Sequence, residues 1–368
     1  HDQNIPCAVN DSRENPVDLI EFKELYTDVH LVTGHWDKSL ISSAELLIVS
    51  PGIDTSDSEI ADNISSNCSV IGDVELYCQL KELPIIAVTG SNGKSTVVSL
   101  LDHLANKLGF KTQLGGNIGT PVLDNITQEN DYLILELSSF QLETLTSMQA
   151  IAASLLNISD DHLDRHKTLK NYQNIKQGIY RQSKVAVINR DDPLTISPLT
   201  TQELISFGSD NAEDGHFGLS VVNNKTQLMF GKQILISLEQ LPLAGLHNAL
   251  NYLSALALGY SAGWSLTAMV ENLVGFSGLS HRCQRIKTDD HIQWINDSKA
   301  TNVGATIAAI SGLLPTLSAS NKLILIAGGD GKGADFSPLK TLLNTDAVAL
   351  ITLGKDGDKI AELRPSSI

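Results

Sequence analysis

The sequence predicts an α/β protein made of three units in tandem, and two observations support this prediction. Short apolar runs rich in β-branched residues alternate with helical stretches, which is typical of parallel sheets whose strands are connected by helices. A length of 368 residues also exceeds that of one average domain and favours two or three. We place the units at residues 1–75, 76–278 and 279–368.

The first unit is predicted to contain short parallel strands. Residues 5–10 look like a strand, and further apolar strands are predicted at 29–33 and 46–50. Ser50-Pro51-Gly52 follows the last of these, where a loop at the carboxyl edge of the sheet is expected. Ligands usually bind at that edge, so this loop is a candidate binding element.

The second and third units repeat the alternation of strand and helix. A more β-like stretch is predicted near 204–238, and a long helix near 246–262. The strands predicted in the second unit lie at 85–89, 132–137, 151–157 and 184–189, and those in the third unit at 292–295, 322–327 and 348–353.

The acidic composition limits the classes of partner. Lys and Arg number 26 against 42 Asp and Glu, a formal net charge of −16, which argues against non-specific binding to nucleic acid or to an anionic membrane. No apolar run is long enough to span a bilayer, and the start of the chain lacks the layout of a signal peptide. The four cysteines have neither metal-site nor disulfide spacing. We therefore expect a soluble, cytoplasmic protein.

The segment at 85–96 predicts a phosphate-binding loop, because an apolar strand runs into a glycine-rich turn and then Lys-Ser-Thr. Gly90 and Gly93 allow a tight turn with inward N–H groups, Lys94 can reach phosphate oxygens, and the hydroxyl of Ser95 can ligate Mg²⁺. The glycine spacing is shorter than in the general P-loop pattern. The alternative is a glycine-rich turn with an incidental lysine, and we favour a bound mononucleotide.

Carboxylates and imidazoles after two later strands are candidate metal ligands. Glu136 ends an apolar strand, where it could share a Mg²⁺ with Ser95 or simply meet water. Residues 157–166 contain three Asp and two His, including His162, and could hold a second divalent ion against phosphate. Such residues also suit the N-terminal turn of a helix, and the cluster alone slightly favours that alternative.

Polar residues in the last third of the chain are weaker candidates. His247 and Asn251 share one face at the start of the long helix and could face a base or merely cap the helix. Arg282 could reach phosphate or be a solvated linker charge. Thr301 and Lys332 lie in polar loops after strands and are suited to bind a carboxylate, although such glycine-rich turns also occur without a ligand.

Six motifs in a fixed order give these stretches a common interpretation. Together they resemble the Mur ligase family, the ATP-dependent amide-bond ligases of peptidoglycan precursor synthesis. The resemblance covers nearly the whole chain. The motifs are Ser-Pro-Gly-Ile at 50–53, Gly-Ser-Asn-Gly-Lys-Ser-Thr at 90–96, Gly-Gly-Asn-Ile-Gly at 115–119, Glu-Leu-Ser-Ser-Phe-Gln-Leu-Glu at 136–143, Asp-Ser-Lys-Ala-Thr-Asn at 297–302 and Gly-Gly-Asp-Gly-Lys at 328–332.

The resemblance implies a three-domain architecture and a reaction. The domains would be an N-terminal Rossmann-like sheet that binds the UDP substrate, a central P-loop ATPase-type α/β domain, and a C-terminal Rossmann-like domain that binds the amino acid. The motifs are most similar to those of members that add D-glutamate to UDP-N-acetylmuramoyl-L-alanine. The substrate carboxylate would attack the γ-phosphate of ATP, and the amine of D-glutamate would displace phosphate from the acyl phosphate. A monomer is expected.

The resemblance also implies roles for individual residues. Lys94, His162 and Lys176 would act in catalysis, and Lys176 would be carbamylated. The residues in contact with ATP would be Gly90, Ser91, Asn92, Gly93, Lys94, Ser95, Thr96, Asn251, Arg282 and Asp297, and two Mg²⁺ ions would contact Ser95, Glu136, His162 and Lys176. The UDP-sugar substrate would contact Asp11, Ser12, Arg13, Gly52, Asn117 and Ser138. D-glutamate would contact Lys299, Thr301 and Lys332.

Departures from the family and rival interpretations remain. The family's first strand and uridine-site loop would precede residue 1, and the end of its third domain would follow residue 368, so we expect a chain truncated at both ends that binds nucleotide but turns over poorly. The alternatives are a sibling Mur ligase, a folylpolyglutamate-type ligase, or a P-loop protein without ligase chemistry. The loop at 328–332 discriminates against siblings that add a diamino acid or a dipeptide.

Overall fold

The computed structural model describes residues 5–243, 245–279, 284–286, 288–290, 292–314, 321–331, 333–345 and 348–364. The chain forms two compact units, His1–Tyr77 and Cys78–Ile368, which are described separately.

The first unit contains two pairs of short parallel strands. The strands predicted at 29–33 and 46–50 are confirmed to within one residue. Strand β1 (Ala8–Asp11) pairs with β2 (His30–Thr33), and β3 (Leu46–Val49) pairs with β4 (Ser69–Gly72). The helices are α1 (Leu19–Leu25), α2 (Lys38–Ser43), α3 (Ser58–Ala61) and α4 (Asp73–Leu80), the last of which runs past the end of the unit.

The second unit is built on a six-stranded, fully parallel sheet. The strands are β5 (Ile85–Thr89), β6 (Thr112–Gly116), β7 (Tyr132–Glu136), β8 (Ala150–Leu155), β9 (Ser183–Asn189) and β10 (Glu203–Phe207), in the spatial order β10-β9-β8-β5-β7-β6. Every residue of β5 is buried, as expected for a central strand covered on both faces. Because the strands are parallel, the loops that follow β5, β7 and β8 meet at one edge.

Helices cover this sheet and supply its core. They are α5 (Lys94–Lys107), α6 (Ser139–Glu143), α7 (Leu163–His166), α8 (Leu169–Gln177), α9 (Leu246–Ser261) and α10 (Leu266–Asn272). Leu100 and Leu104 of α5 pack in one cluster with Leu253 and Leu256 of α9, and all four are fully buried. The long helix predicted at 246–262 is therefore confirmed, and it buries its apolar face against the sheet and α5.

The β-like stretch near 204–238 contains β10 and a separate antiparallel sheet. This sheet consists of β11 (Phe217–Val222), β12 (Lys225–Phe230) and β13 (Gln233–Ser237). Asn223 and Asn224 connect β11 to β12 with φ of +52° and +60°, which is the two-residue hairpin turn that asparagine tolerates.

The remainder of the second unit has its own small core. An antiparallel pair, β14 (Gln284–Ile286) and β15 (Trp294–Asn296), precedes α11 (Val303–Leu313). The strand predicted at 292–295 corresponds to β15, which begins two residues later than predicted. Strands β16 (Leu323–Gly328) and β17 (Val348–Leu353) pair in parallel, with α12 (Lys340–Leu343) and α13 (Gly357–Ala361) beside them. Across the described residues, the helices are too short or too polar to cross a membrane.

Gly116 allows the backbone of β6 to approach the end of β7. It has φ of +93°, and a Cβ there would clash with the carbonyl oxygen of Glu136. Gly109 has a similar φ of +88° but open space around it, so it is a matched control. We expect Gly109→Ala to lower the free energy of unfolding by about 1 kcal/mol and Gly116→Ala by about 3 kcal/mol or more, measured by urea denaturation. Equal losses would contradict the close approach.

Candidate active site

The glycine-rich loop after β5 has the backbone geometry of a phosphate cradle. Gly90 and Gly93 have φ of +152° and +87°, values that favour glycine, and Gly93 is the N-cap of α5. A Cβ at Gly93 would lie 2.6 Å from Oδ1 of Asn251, so the loop passes directly beside α9. The first turn of α5 therefore follows a compact loop, where N–H groups and the helix dipole favour an anion.

The loop after β8 fixes the conformation of the glycine-rich loop. Asn157 Oδ1 accepts from the backbone N–H of Asn92 at 2.8 Å, and Asn157 Nδ2 donates to the carbonyl of Asn92 at 3.0 Å. The hydroxyl of Ser91 accepts from the backbone N–H of Ser159 at 2.9 Å and lies 3.1 Å from its carbonyl oxygen. Asn157 and Ser159 thus have a positioning role that the sequence analysis missed.

Two lysine amines converge on one carbonyl oxygen of this loop. Nζ of Lys94 donates to the carbonyl of Gly90 at 2.8 Å, and Nζ of Lys176 donates to the same oxygen at 3.1 Å and to the hydroxyl of Thr89 at 3.0 Å. Lys176 is only 2% exposed. Burial, together with the positive charge of Lys94, holds the pKa of Lys176 well below its usual value.

Glu136 is buried and does not meet water, so that alternative is wrong. Its side chain is 2% exposed. Oε1 accepts from Nδ2 of Asn117 at 2.8 Å, whereas Oε2 is buried without a hydrogen-bond partner among the described residues. A buried carboxylate oxygen with no partner is costly, and a hard cation would satisfy it.

His162 stands at the start of α7 in a left-handed conformation with φ of +52°. It occupies the N-cap position, but its side chain makes no capping hydrogen bond. Its ring instead packs edge-on against Phe140 at 4.9 Å, and Nε2 lies 3.7 Å from Oδ2 of Asp161. No group of three His, Cys, Asp or Glu side chains with metal-site geometry occurs in the described part of the chain, so a metal here would need mixed ligands.

A cavity of about 640 Å³ opens beside the glycine-rich loop. Asn251 and Asp297, both predicted to contact nucleotide, line it together with Asn92, Gly93 and Thr96 of the loop. Its volume and its mixture of apolar and amide side chains suit a nucleoside. The other lining residues include Leu156, Asn157, Phe207, Leu243, His247, Asn248, Ala305, Ala308, Ala309 and Gly312.

Comparisons with known proteins agree with this geometry. Three family models match successive parts of the chain: "Mur ligase MurD-like, N-terminal domain" at 1–72, "Mur ligase middle domain" at 88–259 and "Mur ligase, glutamate ligase domain" at 281–365. The UDP-N-acetylmuramoylalanine–D-glutamate ligase of Colwellia psychrerythraea is 58% identical, over 100% of this chain and 82% of the relative. The enzyme of that name from Marinobacter nauticus is 43% identical with the same coverage. This chain belongs to the Mur ligase family.

Solved structures of Mur ligases share the fold. MurF from Acinetobacter baumannii superposes with a TM-score of 0.65 at 20% identity, over 90% of this chain and 82% of that one. MurF ligase from Thermotoga maritima, solved in complex with ADP, gives 0.63 at 18% identity over 86% of each chain. These structural similarities confirm the predicted α/β class and three-domain Mur ligase architecture.

Two other site residues predicted from the family, Lys299 and Thr301, are not among the residues that line the cavity. Arg282 and Lys332 lie outside the described residues. Thr301 is exposed, and Lys299 is exposed in the turn after β15. In the first unit, the guanidinium of Arg13 is 2.6 Å from the carboxylate of Asp11 and lowers the pKa of Asp11 through a hydrogen bond. Ser12 and Gly52 are exposed there.

Ser138 is the N-cap of α6 and forms a capping box with Gln141. Its hydroxyl accepts from the backbone N–H of Gln141 at 3.1 Å, and the Gln141 side chain accepts from the N–H of Ser138 at 3.0 Å. The Mur ligase motif at 136–143 therefore contains its own helix start.

His166 is a buried residue that the sequence analysis did not single out as a site residue. Its side chain is 1% exposed, with Nε2 2.9 Å from the hydroxyl of Ser139 and Nδ1 3.5 Å from Oε1 of Glu143. Burial, with the nearby positive charges of His162 and Arg165, lowers the pKa of His166 to about 4. The imidazole is therefore neutral at neutral pH.

The lowered pKa of His166 makes folding depend on pH. Between about pH 4 and 6.5 the unfolded chain binds a proton at this imidazole more readily than the folded chain does. The contribution of neutral His166 to the free energy of unfolding is therefore complete above this range and is lost as pH falls through it. We expect the imidazole of His166 to titrate near pH 4 by proton NMR. Between pH 6.5 and 4, the free energy of unfolding should fall less in His166→Asn than in the wild type. His35→Asn, at an exposed position, should retain the wild-type dependence. A titration of His166 near 6.5 would refute this.

Proposed function

We propose that this chain catalyses the ATP-dependent addition of D-glutamate to UDP-N-acetylmuramoyl-L-alanine in cytoplasmic peptidoglycan precursor synthesis. The observation that carries the proposal is 58% identity, over the whole chain, to a relative named UDP-N-acetylmuramoylalanine–D-glutamate ligase. The phosphate cradle and the adjoining cavity support the ATP half of the reaction.

The reaction has two covalent steps. The terminal carboxylate of UDP-N-acetylmuramoyl-L-alanine attacks the γ-phosphorus of ATP, forming an acyl phosphate and releasing ADP. The amine of D-glutamate then attacks the acyl carbon, the C–N bond forms, inorganic phosphate leaves, and the nitrogen loses its proton. Both steps move negative charge among phosphate oxygens, so positioning and fixed positive charge supply most of the catalysis.

The glycine-rich loop and the start of α5 would hold the phosphates. Lys94 now donates to the carbonyls of Gly90 and Ser91, and it would exchange these contacts for a phosphate oxygen. Ser95 and Thr96 would contribute N–H or hydroxyl groups, and the loop residues Ser91 and Asn92 would also contact ATP. The nucleoside would fill the cavity, beside Asn251 and Asp297. Arg282 would also contact ATP.

We propose that Ser95, Glu136, His162 and carbamylated Lys176 hold Mg²⁺, as two ions. The unpartnered Oε2 of Glu136 fits this proposal. Bound Mg²⁺ would neutralise charge on the transferring phosphate. Lys176 fits a carbamate because its lowered pKa leaves a neutral amine, which attacks CO₂, forms a C–N bond and loses a proton. The carbamate would replace a buried amine with anionic oxygen ligands.

The remaining contacts are proposed from the family motifs. In the domain proposed at 1–75, Asp11, Ser12, Arg13 and Gly52 would bind the UDP-sugar substrate, and in the domain at 76–278, Asn117 and Ser138 would bind the rest of it. In the domain at 279–368, Lys299, Thr301 and Lys332 would bind D-glutamate. We propose a monomer.

The proposed function predicts phosphate release that depends on D-glutamate. With ATP, Mg²⁺ and UDP-N-acetylmuramoyl-L-alanine present, we expect D-glutamate to stimulate release, and L-glutamate, L-alanine and meso-diaminopimelate not to. Release should be accompanied by amide product, measured by chromatography. Phosphate release indifferent to D-glutamate would refute the proposal and favour a P-loop protein without ligase chemistry, whereas stimulation by another amino acid would favour a sibling ligase.

Carbamylation of Lys176 predicts a carbamate signal from isotope-labelled bicarbonate in carbon NMR. We expect the signal in the wild type and its loss in Lys176→Gln, because burial and the charge of Lys94 favour the neutral form of this amine. The matched control is Lys170→Gln on the same helix, where Nζ contacts Oε1 of Gln173 at 3.1 Å. A signal that persists in Lys176→Gln would place the carbamate elsewhere.

A further inference from the structure

One side-chain hydrogen bond joins the glycine-rich loop to a residue 210 positions later in the sequence. Nδ2 of Asn302 donates to Oδ1 of Asn92 at 3.0 Å. Asn92 lies between the two glycines of the loop, and Asn302 is the N-cap of α11. The bond therefore connects the proposed phosphate site with the segment 297–302.

Both partners of this bond are held in place by other contacts. Oδ1 of Asn302 accepts from the backbone N–H of Ala305 at 2.9 Å, so capping fixes which end of the amide faces Asn92. Asn92 is held by its two bonds to Asn157. A Cβ at Gly304 would lie 3.4 Å from Nδ2 of Asn92 and 3.4 Å from the hydroxyl of Ser159, so α11 begins in contact with both loops.

The two ends of the bond serve different halves of the proposed reaction. Asn92 belongs to the loop proposed to hold ATP phosphates. Asn302 ends the segment that contains Lys299 and Thr301, proposed to bind D-glutamate, and α11 lines the cavity with Ala305 and Ala308. A change in the loop on nucleotide binding can reach this segment through one amide pair.

We propose that Asn302 is a positioning residue that couples nucleotide binding to the placement of the amino-acid-binding segment. This inference rests on the proposed function. With the bond intact, the D-glutamate amine is held where it can attack the acyl phosphate. Without it, water attacks more often, which breaks the bond to phosphate, returns the carboxylate and releases phosphate without forming an amide.

Asn302→Ser is the sharpest test, because serine is a good N-cap but its side chain is too short to reach Asn92. We expect more phosphate released per amide formed, and a KM for D-glutamate raised about three- to tenfold, the worth of one hydrogen bond. The KM for ATP should change less. Thr306→Val is the matched control, since it removes a local bond to the carbonyl of Asn302 and leaves the amide pair intact.

Hydrogen exchange gives a readout that does not need ligation. With ADP and Mg²⁺ added, backbone exchange in the first turns of α11 should slow in the wild type and in Thr306→Val, but not in Asn302→Ser. Asn92→Ala tests the bond from its other end and should lose the same response. Absence of D-glutamate-dependent release in the wild type would refute the proposed function alone. Wild-type exchange responses in both Asn variants, with unchanged phosphate per amide, would overturn the coupling.

Discussion

The convergence of two lysine amines on the carbonyl oxygen of Gly90 is the constraint on which the candidate site depends. It requires the loop to present that oxygen inward, which the backbone at Gly90 and Gly93 allows. It also requires α5 and α8 to flank the same strand end, which the central position of β5 provides. The site is therefore a consequence of strand order as much as of the loop's own residues.

Burying positive charge beside this loop affects its neighbours. Removing an ammonium group from water is costly, and a second amine nearby adds repulsion, so the neutral form of Lys176 is favoured. His166 experiences the same combination of burial and positive neighbours and is also neutral. Glu136 differs from these two residues, because it is a buried acid and one of its carboxylate oxygens has no hydrogen-bond partner among the described residues. A bound cation would give this oxygen a partner, and conversion of the Lys176 amine to an anionic ligand would remove the buried amine.

Local pattern predicted much of this arrangement and missed its long-range part. The strands at 85–89 and 184–189 were predictable because short, continuous apolar runs are typical of strands that are buried on both faces of a sheet. The burial of Lys176 was not, because Asn-Ile-Lys-Gln within α8 resembles an exposed helix surface. The bond from Asn92 to Asn302 leaves no trace in local periodicity. For Glu136, only the packed structure decided between water and burial.

Amide side chains connect the loops of the site to one another. Asn157 satisfies both backbone groups of Asn92, and Asn302 caps α11 while donating to the same residue. An amide can donate and accept at once, so each of these residues fixes two elements without adding charge. A carboxylate at either position would repel phosphate, and a lysine would compete for it. Neutral positioning groups therefore leave Lys94 as the loop's proposed charged contact for a nucleotide, in a protein whose net charge of −16 otherwise opposes an anionic ligand.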